Sequence, residues 1–214
     1  MSNKTLFPAV MVLAAGLSSR MKVTKQTLPF GNSTILEHVL TTVLNSNYRP
    51  VILVLGHHYK LILDTLSPWI ISQLKVVINE NYKEGLSSSI KKGLNEIPAE
   101  RPCLVLLGDQ PFITNEWLDH IHDIYTLHPS VSVRTEWKDQ IGPPILLSPH
   151  MITNSSLLEG DQGFKGLFKQ TNKVINCIPR TSNMVMDVDT DDDYKSALEV
   201  LAKEGYNGYA TVEG

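Results

Sequence analysis

The sequence predicts a single α/β domain with a mostly parallel sheet and helices on both of its faces. Short apolar runs, "AVMVLAA", "VILVLG", "KVVIN" and "CLVLLGD", recur without polar alternation, as expected of strands covered on both sides. Amphipathic stretches separate them, so the first half reads β-α-β-α-β-α-β-α with right-handed crossovers. At 214 residues the chain has room for one such core and is short for two ordinary domains. The reading is one domain over 1–214, with its core at about 8–202 and loose ends over the first five residues and after Gly205.

Each element carries its own signal. After Asn32, "STILEHVLTTVL" offers Thr34 and Glu37 as a capping box, and Ile35, Leu36, Val39, Leu40, Val43 and Leu44 form one apolar stripe. "SSSIKKGLNEI" starts a helix at one of its serines, and "TNEWLDHIHDIYTL" gives another behind Thr114. In the second half, "SVSVRT" and "ILLS" read as strands around a long polar loop, "EWKDQIGPP", and "GFKGLFKQ" reads as a short helix. "MDVDTDDDYKSALEVLAKE" reads as a strand and then a helix capped by Thr190 with Asp193.

Composition narrows the function classes. Hydrophobic residues make up 42% of the chain and the net charge is −3, which suits a soluble globular protein without a nucleic-acid or membrane surface. Cys103 and Cys177 lie far apart without metal-like spacing, so neither a disulfide framework nor a zinc site is expected, and a reducing, cytoplasmic setting is. The first residues lack a cleavage-site pattern, and no apolar run approaches the roughly 18 residues of a membrane span.

The stretch "VLAAGLSSRM", Val12–Met21, leaves a buried strand through small residues and ends near an arginine. In an open parallel sheet, ligands lie beyond the carboxyl ends of the strands. Ala14, Ala15 and Gly16 let backbone N–H groups approach an anion, Ser18 and Ser19 add hydroxyls, and Arg20 and Lys25 add cations. This is an anion cradle suited to a polyphosphate, although a glycine after a strand is also a common turn. Neither the P-loop pattern nor G-x-G-x-x-G is present.

"CLVLLGDQPFIT" places Asp109 at the same sheet edge, as a Mg²⁺ ligand or as a turn-forming residue before Pro111. Asp187 and Asp189 sit two apart in "VMDVDT", where a strand would aim both at one metal. His57 and His58 read as a surface turn, and His120 and His122 do not share a helix face. Trp69, Trp117 and Trp137 read as partly buried packing residues.

"LAAGLSSRM" followed by Lys25 and "LPFG", then "NYKEGLSSSIKKGL", "LLGDQPFIT", "GDQGFKGL" and "MDVDTDDDY" occur in the order seen in MobA-like nucleotidyltransferases. Within that family the chain most resembles the molybdenum cofactor cytidylyltransferases, over about residues 8 to 202. "LAAG" with "GDQP" is closer to this branch than to the guanylyl-transferring one, where "LAGG" and Asp-Thr-Pro are expected. The resemblance implies a Rossmann-like three-layer domain of the nucleotide-diphospho-sugar transferase fold. It also implies transfer of CMP from CTP, with Mg²⁺, to molybdopterin-bound molybdenum, releasing pyrophosphate, and a xanthine-dehydrogenase-type molybdoenzyme as downstream partner.

Carried over residue by residue, Leu13, Ala14, Ala15 and Gly16 would line the nucleotide site, with Arg20 and Lys25 on the triphosphate. Asp109 would hold Mg²⁺ with Asp187 as second carboxylate, and Gly85, Ser87 and Ser88 would approach the base. Trp137 could then cover a pterin. Two departures stand out. Gly142, Pro143 and Pro144 replace the family's common Gly-His-Pro, and "MKVTK" replaces the usual glycines before Lys25, so that Lys22 competes for the phosphate role. The alternatives are a guanylyltransferase, a sugar- or polyol-phosphate nucleotidyltransferase, and a non-catalytic maturation factor that binds cofactor.

Overall fold

A computed structural model describes residues 7–18, 20–98, 100–153, 155, 163–168 and 173–203. The expected loose ends, at residues 1–5 and after Gly205, lie outside these residues, as do Ser19 and the first residues of "GDQGFKGL".

In chain order the elements are β1 (Ala9–Ala14), the short pair β2 (Pro29–Phe30) and β3 (Ser33–Thr34), α1 (Ile35–Leu44), β4 (Val51–Leu55), α2 (Tyr59–Thr65), α3 (Pro68–Ser72) and β5 (Leu74–Ile78). Then follow α4 (Leu86–Leu94), β6 (Cys103–Leu107), α5 (Asn115–Leu127), β7 (Ser132–Trp137), β8 (Gln140–Leu147), α6 (Pro149–Thr153), α7 (Gly163–Phe168), β9 (Val174–Cys177) and α8 (Asp191–Lys203). Seven strands form one sheet in the order β5-β4-β1-β6-β8-β7-β9. The β5-β4-β1-β6 half is parallel throughout, β8 runs antiparallel to both neighbours, and β9 pairs parallel with β7.

Alternate residues of β1 enter opposite cores, which makes the fold three-layered. Val10, Val12 and Ala14 pack with α1, α3 and α5, whereas Met11 and Leu13 pack with α4, α6 and α7. All six β1 residues are buried, and this two-sided burial explains the unbroken apolar runs. None of the helices in the described residues is long and apolar enough to cross a membrane.

The three predicted caps form, but at Thr34 only the threonine half of the box does, because Glu37 Oε1 accepts from Ser67 N at 3.2 Å instead. Thr34 accepts from Glu37 N at 3.2 Å and Thr114 from Trp117 N at 3.3 Å. Thr190 and Asp193 bond reciprocally, with Thr190 N to Asp193 Oδ2 at 2.8 Å and Asp193 N to Thr190 Oγ1 at 3.1 Å.

Other expectations are corrected. α4 starts after Gly85 rather than at a serine, because the cap residue has φ 97° and ψ 178°, a conformation open only to glycine without strain. No long loop separates β7 and β8. They extend through Trp137 and Gln140 and join at Lys138 and Asp139, both left-handed (φ 48° and 64°), as a tight two-residue hairpin turn requires. The segment 186–189 forms no strand; Val188 N donates instead to Asp109 O at 3.0 Å. Trp69 is 54% exposed rather than partly buried, whereas Trp117 is in the core.

Candidate active site

The carboxyl ends of β1 and β6 open onto a cleft of about 530 Å³. Leu13, Ala14, Ala15, Gly16, Arg20, Lys25, Gly85 and Asp109 all line it, together with Tyr82, Lys83, Leu86, Ser89 and Asp189. The small residues after β1 keep the backbone bare there, and a Cβ on Gly16 would meet nothing within 4 Å. Gly56, after β4, is needed for close approach: its Cβ would stand 2.7 Å from Tyr82 Cβ and 2.9 Å from Ala15 O.

The charges converge on Lys25. Its ammonium bonds Asp109 and, at 2.6 Å, Asp189 Oδ1; Arg20 Nη2 reaches Asp189 Oδ2 at 2.9 Å. The Lys25 side chain is only 10% exposed. Burial alone would pull its pKa down, but the two carboxylates outweigh that and hold it above the ordinary lysine value. Burial would likewise push Asp189 up, and Lys25 and Arg20 hold it below the usual carboxylate range. The Lys25 turn is pinned from two sides. Lys25 N donates to Ser18 Oγ at 3.3 Å, and Thr24 Oγ1 lies 2.8 Å from His58 Nδ1. Lys22 lies away from the cleft, in a separate depression with Met21 and Val23.

A second cleft, of about 270 Å³, lies on the other side of Leu107, which lines both. Here are Asp187, Gln110, Thr135, Trp137, Gln140, Ile141, Gly142, Pro143 and Val185. Gln110 Nε2 donates to Asp187 Oδ1 at 2.8 Å. Asp187 opens to solvent on one side and is ringed by protein on the others; this enclosure, with Asp109 nearby, raises its carboxyl to about 6. Asp187 and Asp189 thus face different clefts, although the sequence reading aimed both at one point.

Ser87 and Ser88 do not line the first cleft. Ser87 is buried, and Ser88 Oγ lies 2.9 Å from Gly85 O and 3.0 Å from Asn81 O, so local backbone satisfies it. Ser89, one residue on, does line it. Sequence reasoning missed Tyr82, Lys83 and Leu86, though all three flank the singled-out Gly85. It also missed Gln110, which follows Asp109 directly.

A hard divalent cation fits these residues. Lys25 already occupies a cation position between Asp109 and Asp189, and Asp109 Oδ1 is buried without a hydrogen-bond partner among the described residues. The donors are all carboxylate oxygens, as Mg²⁺ prefers. Among the described residues no group of three or more acidic, His or Cys side chains closes a protein-only cage, and Mg²⁺ commonly completes its shell from phosphates and water.

A bare-backbone loop, two cations and a carboxylate at the carboxyl edge of a parallel sheet define a nucleotide-handling transferase of Rossmann-like fold. The chain belongs to the MobA-like NTP transferase domain family, whose model matches residues 10–174, and it is therefore a nucleotidyltransferase. It is 28% identical over 200 residues to the molybdenum cofactor cytidylyltransferase of Escherichia coli, covering 88% of this chain and 94% of that one. The crystal structure of the homologue of Mycobacterium tuberculosis Rv0371c from Mycobacterium sp. strain JC1 superposes with a TM-score of 0.80 at 28% identity, covering 92% of this chain and 97% of that one. The manganese complex of Rv0371c from Mycobacterium tuberculosis superposes with a TM-score of 0.72 at 25% identity, covering 91% of this chain and all (100%) of that one.

Proposed function

We propose that the protein transfers CMP from CTP to molybdopterin-bound molybdenum cofactor and releases pyrophosphate. One observation carries this reading: two clefts meet at the end of β6, a cationic one roomy enough for a nucleoside triphosphate and a smaller one walled by Trp137. The near full-length similarity to the E. coli cytidylyltransferase supports the choice of cofactor and nucleotide.

The chemistry asks for positioning and charge rather than a protein nucleophile. The acceptor phosphate is already ionised, so no general base is needed for its in-line attack on the α-phosphorus. The bond to the β-phosphate oxygen breaks, and pyrophosphate leaves with the electron pair. Arg20 and Lys25 exchange Asp189 for triphosphate oxygens and stabilise the charge that grows on them. Backbone N–H groups from Ala14 to Gly16 line the phosphates, and Gly85, with the Ser87–Ser89 turn behind it, meets the base. Mg²⁺, when bound, would be held by Asp109 with Asp189 and would neutralise the triphosphate; the manganese-bound relative supports a divalent ion here. The product would pass to a xanthine-dehydrogenase-type molybdoenzyme, in the cytoplasm, where two buried free thiols remain reduced.

A different acceptor is the second reading, favoured by Pro143, which lines the second cleft where the family commonly has histidine. Pyrophosphate release is to be followed with Mg²⁺ and molybdenum cofactor while CTP, GTP, ATP and UTP are offered separately. Release with CTP alone, abolished by Asp109→Ala, is expected. Release with GTP would reassign the nucleotide. No release with any nucleotide would move the assignment to a sugar- or polyol-phosphate acceptor or to a non-catalytic maturation factor.

A further inference from the structure

Resting on that reading, we infer that Asp187 is not the second metal carboxylate but the residue that reads the acceptor, by accepting hydrogen bonds from the amino-pyrimidinone edge of a pterin. Three observations converge. First, the cation position lies between Asp109 and Asp189, which share Lys25, whereas Asp187 lines the second cleft and not the first. Second, its one hydrogen bond among the described residues comes from Gln110 Nε2, at 2.8 Å. That bond fixes the carboxylate and leaves most of its acceptor capacity facing solvent in the cleft.

Third, Gln110 is only 3% exposed, and its Oε1 has no hydrogen-bond partner among the described residues. A buried, unpartnered carbonyl oxygen held beside a fixed carboxylate makes the pair rich in acceptors. The complementary ligand carries adjacent N–H and NH₂ donors on a flat ring, which is the 2-amino-4-oxo edge of a pterin. Trp137 in the same cleft provides an aromatic face for such a ring. A sugar or polyol phosphate can offer paired hydroxyl donors but lacks the flat face that Trp137 would cover.

The test uses the full-length protein and three probes: a fluorescent pterin without phosphate, CTP with Mg²⁺, and Mn²⁺ alone. For Asp187→Asn, pterin affinity is expected to fall at least tenfold, because one anionic acceptor becomes a donor. Affinities for Mn²⁺ and CTP are expected to stay within about twofold of the parent. Trp137→Leu should likewise weaken the pterin and spare both other probes. A loss of Mn²⁺ affinity in Asp187→Asn would overturn the inference by returning Asp187 to the metal. Pterin binding to the parent protein that Asp187→Asn leaves undiminished would overturn this inference alone. No pterin binding to the parent would overturn both the inference and the proposed acceptor.

Discussion

Replacing Lys25 by methionine removes the ammonium and keeps most of the apolar stem. Lys25 and Asp109 are 10% and 13% exposed, so the variant leaves a carboxylate in the protein interior without its cation. Removing one partner of a buried pair costs about 3–5 kcal/mol. The lower end applies, because Asp189 is more exposed and keeps Arg20. With a urea m-value of about 2 kcal/mol/M, ~3 kcal/mol moves the unfolding midpoint by about 1.5 M.

The deficit has a pH sign. Burial already pushes the Asp109 carboxyl up, against the pull of Lys25, and losing Lys25 lets it rise further. A folded state that binds a proton more tightly than the unfolded chain loses stability as pH rises. The deficit relative to the parent should therefore be small near pH 5 and full near pH 8, and millimolar Mg²⁺ should shrink it by entering the vacated position. The assay is urea unfolding at pH 5, 7 and 8 for both proteins, with and without Mg²⁺. A deficit below about 1 kcal/mol at pH 8, or one that does not change with pH, would refute the buried-pair reasoning.

Three further outcomes are expected. Arg20→Ala should leave the unfolding midpoint unchanged, since its side chain is 67% exposed and its pair with Asp189 is screened, yet lower kcat/KM for the nucleotide by tenfold or more, read from initial rates. Gly56→Ala should cost about 1–3 kcal/mol in a denaturant titration and weaken CTP binding, because its Cβ meets Ala15 O and Tyr82 Cβ, which cannot both yield. Burial holds the His38 imidazole below its ordinary pKa, against a backbone bond to Pro111. Its stability contribution is thus complete above about pH 6.5 and lost as pH falls below it, so His38→Gln should flatten the stability profile between pH 6.5 and 5.

The sheet and most helix starts were legible because their causes are local or uniform. Double-sided burial writes continuous apolar runs, and Thr34, Thr114 and Thr190 cap with their own hydroxyls. The β7–β8 hairpin was hidden because its turn is Lys138-Asp139 rather than an Asn-Gly type, set among polar residues. β9 has only four residues, one of them buried, too short to show a period.

In the site, small residues at the end of a strand can only line its mouth, so the cradle and Asp109 could be placed from sequence. The division of Asp187 from Asp189 could not. Alternation is enforced by a ladder, and the segment 186–189 has none. For the same reason of geometry, the serine run hid the fact that Gly85 supplies the cap and that Ser89, not Ser87 or Ser88, reaches the cleft.

The most direct measurement follows label from CTP into the acceptor. The protein is incubated with Mg²⁺, molybdenum cofactor and CTP labelled at either the α- or the γ-phosphorus. α-Label in the cofactor product and γ-label in pyrophosphate are expected. α-Label that stays with CTP or free CMP, or γ-label that appears on the acceptor, would contradict nucleotidyl transfer to the cofactor.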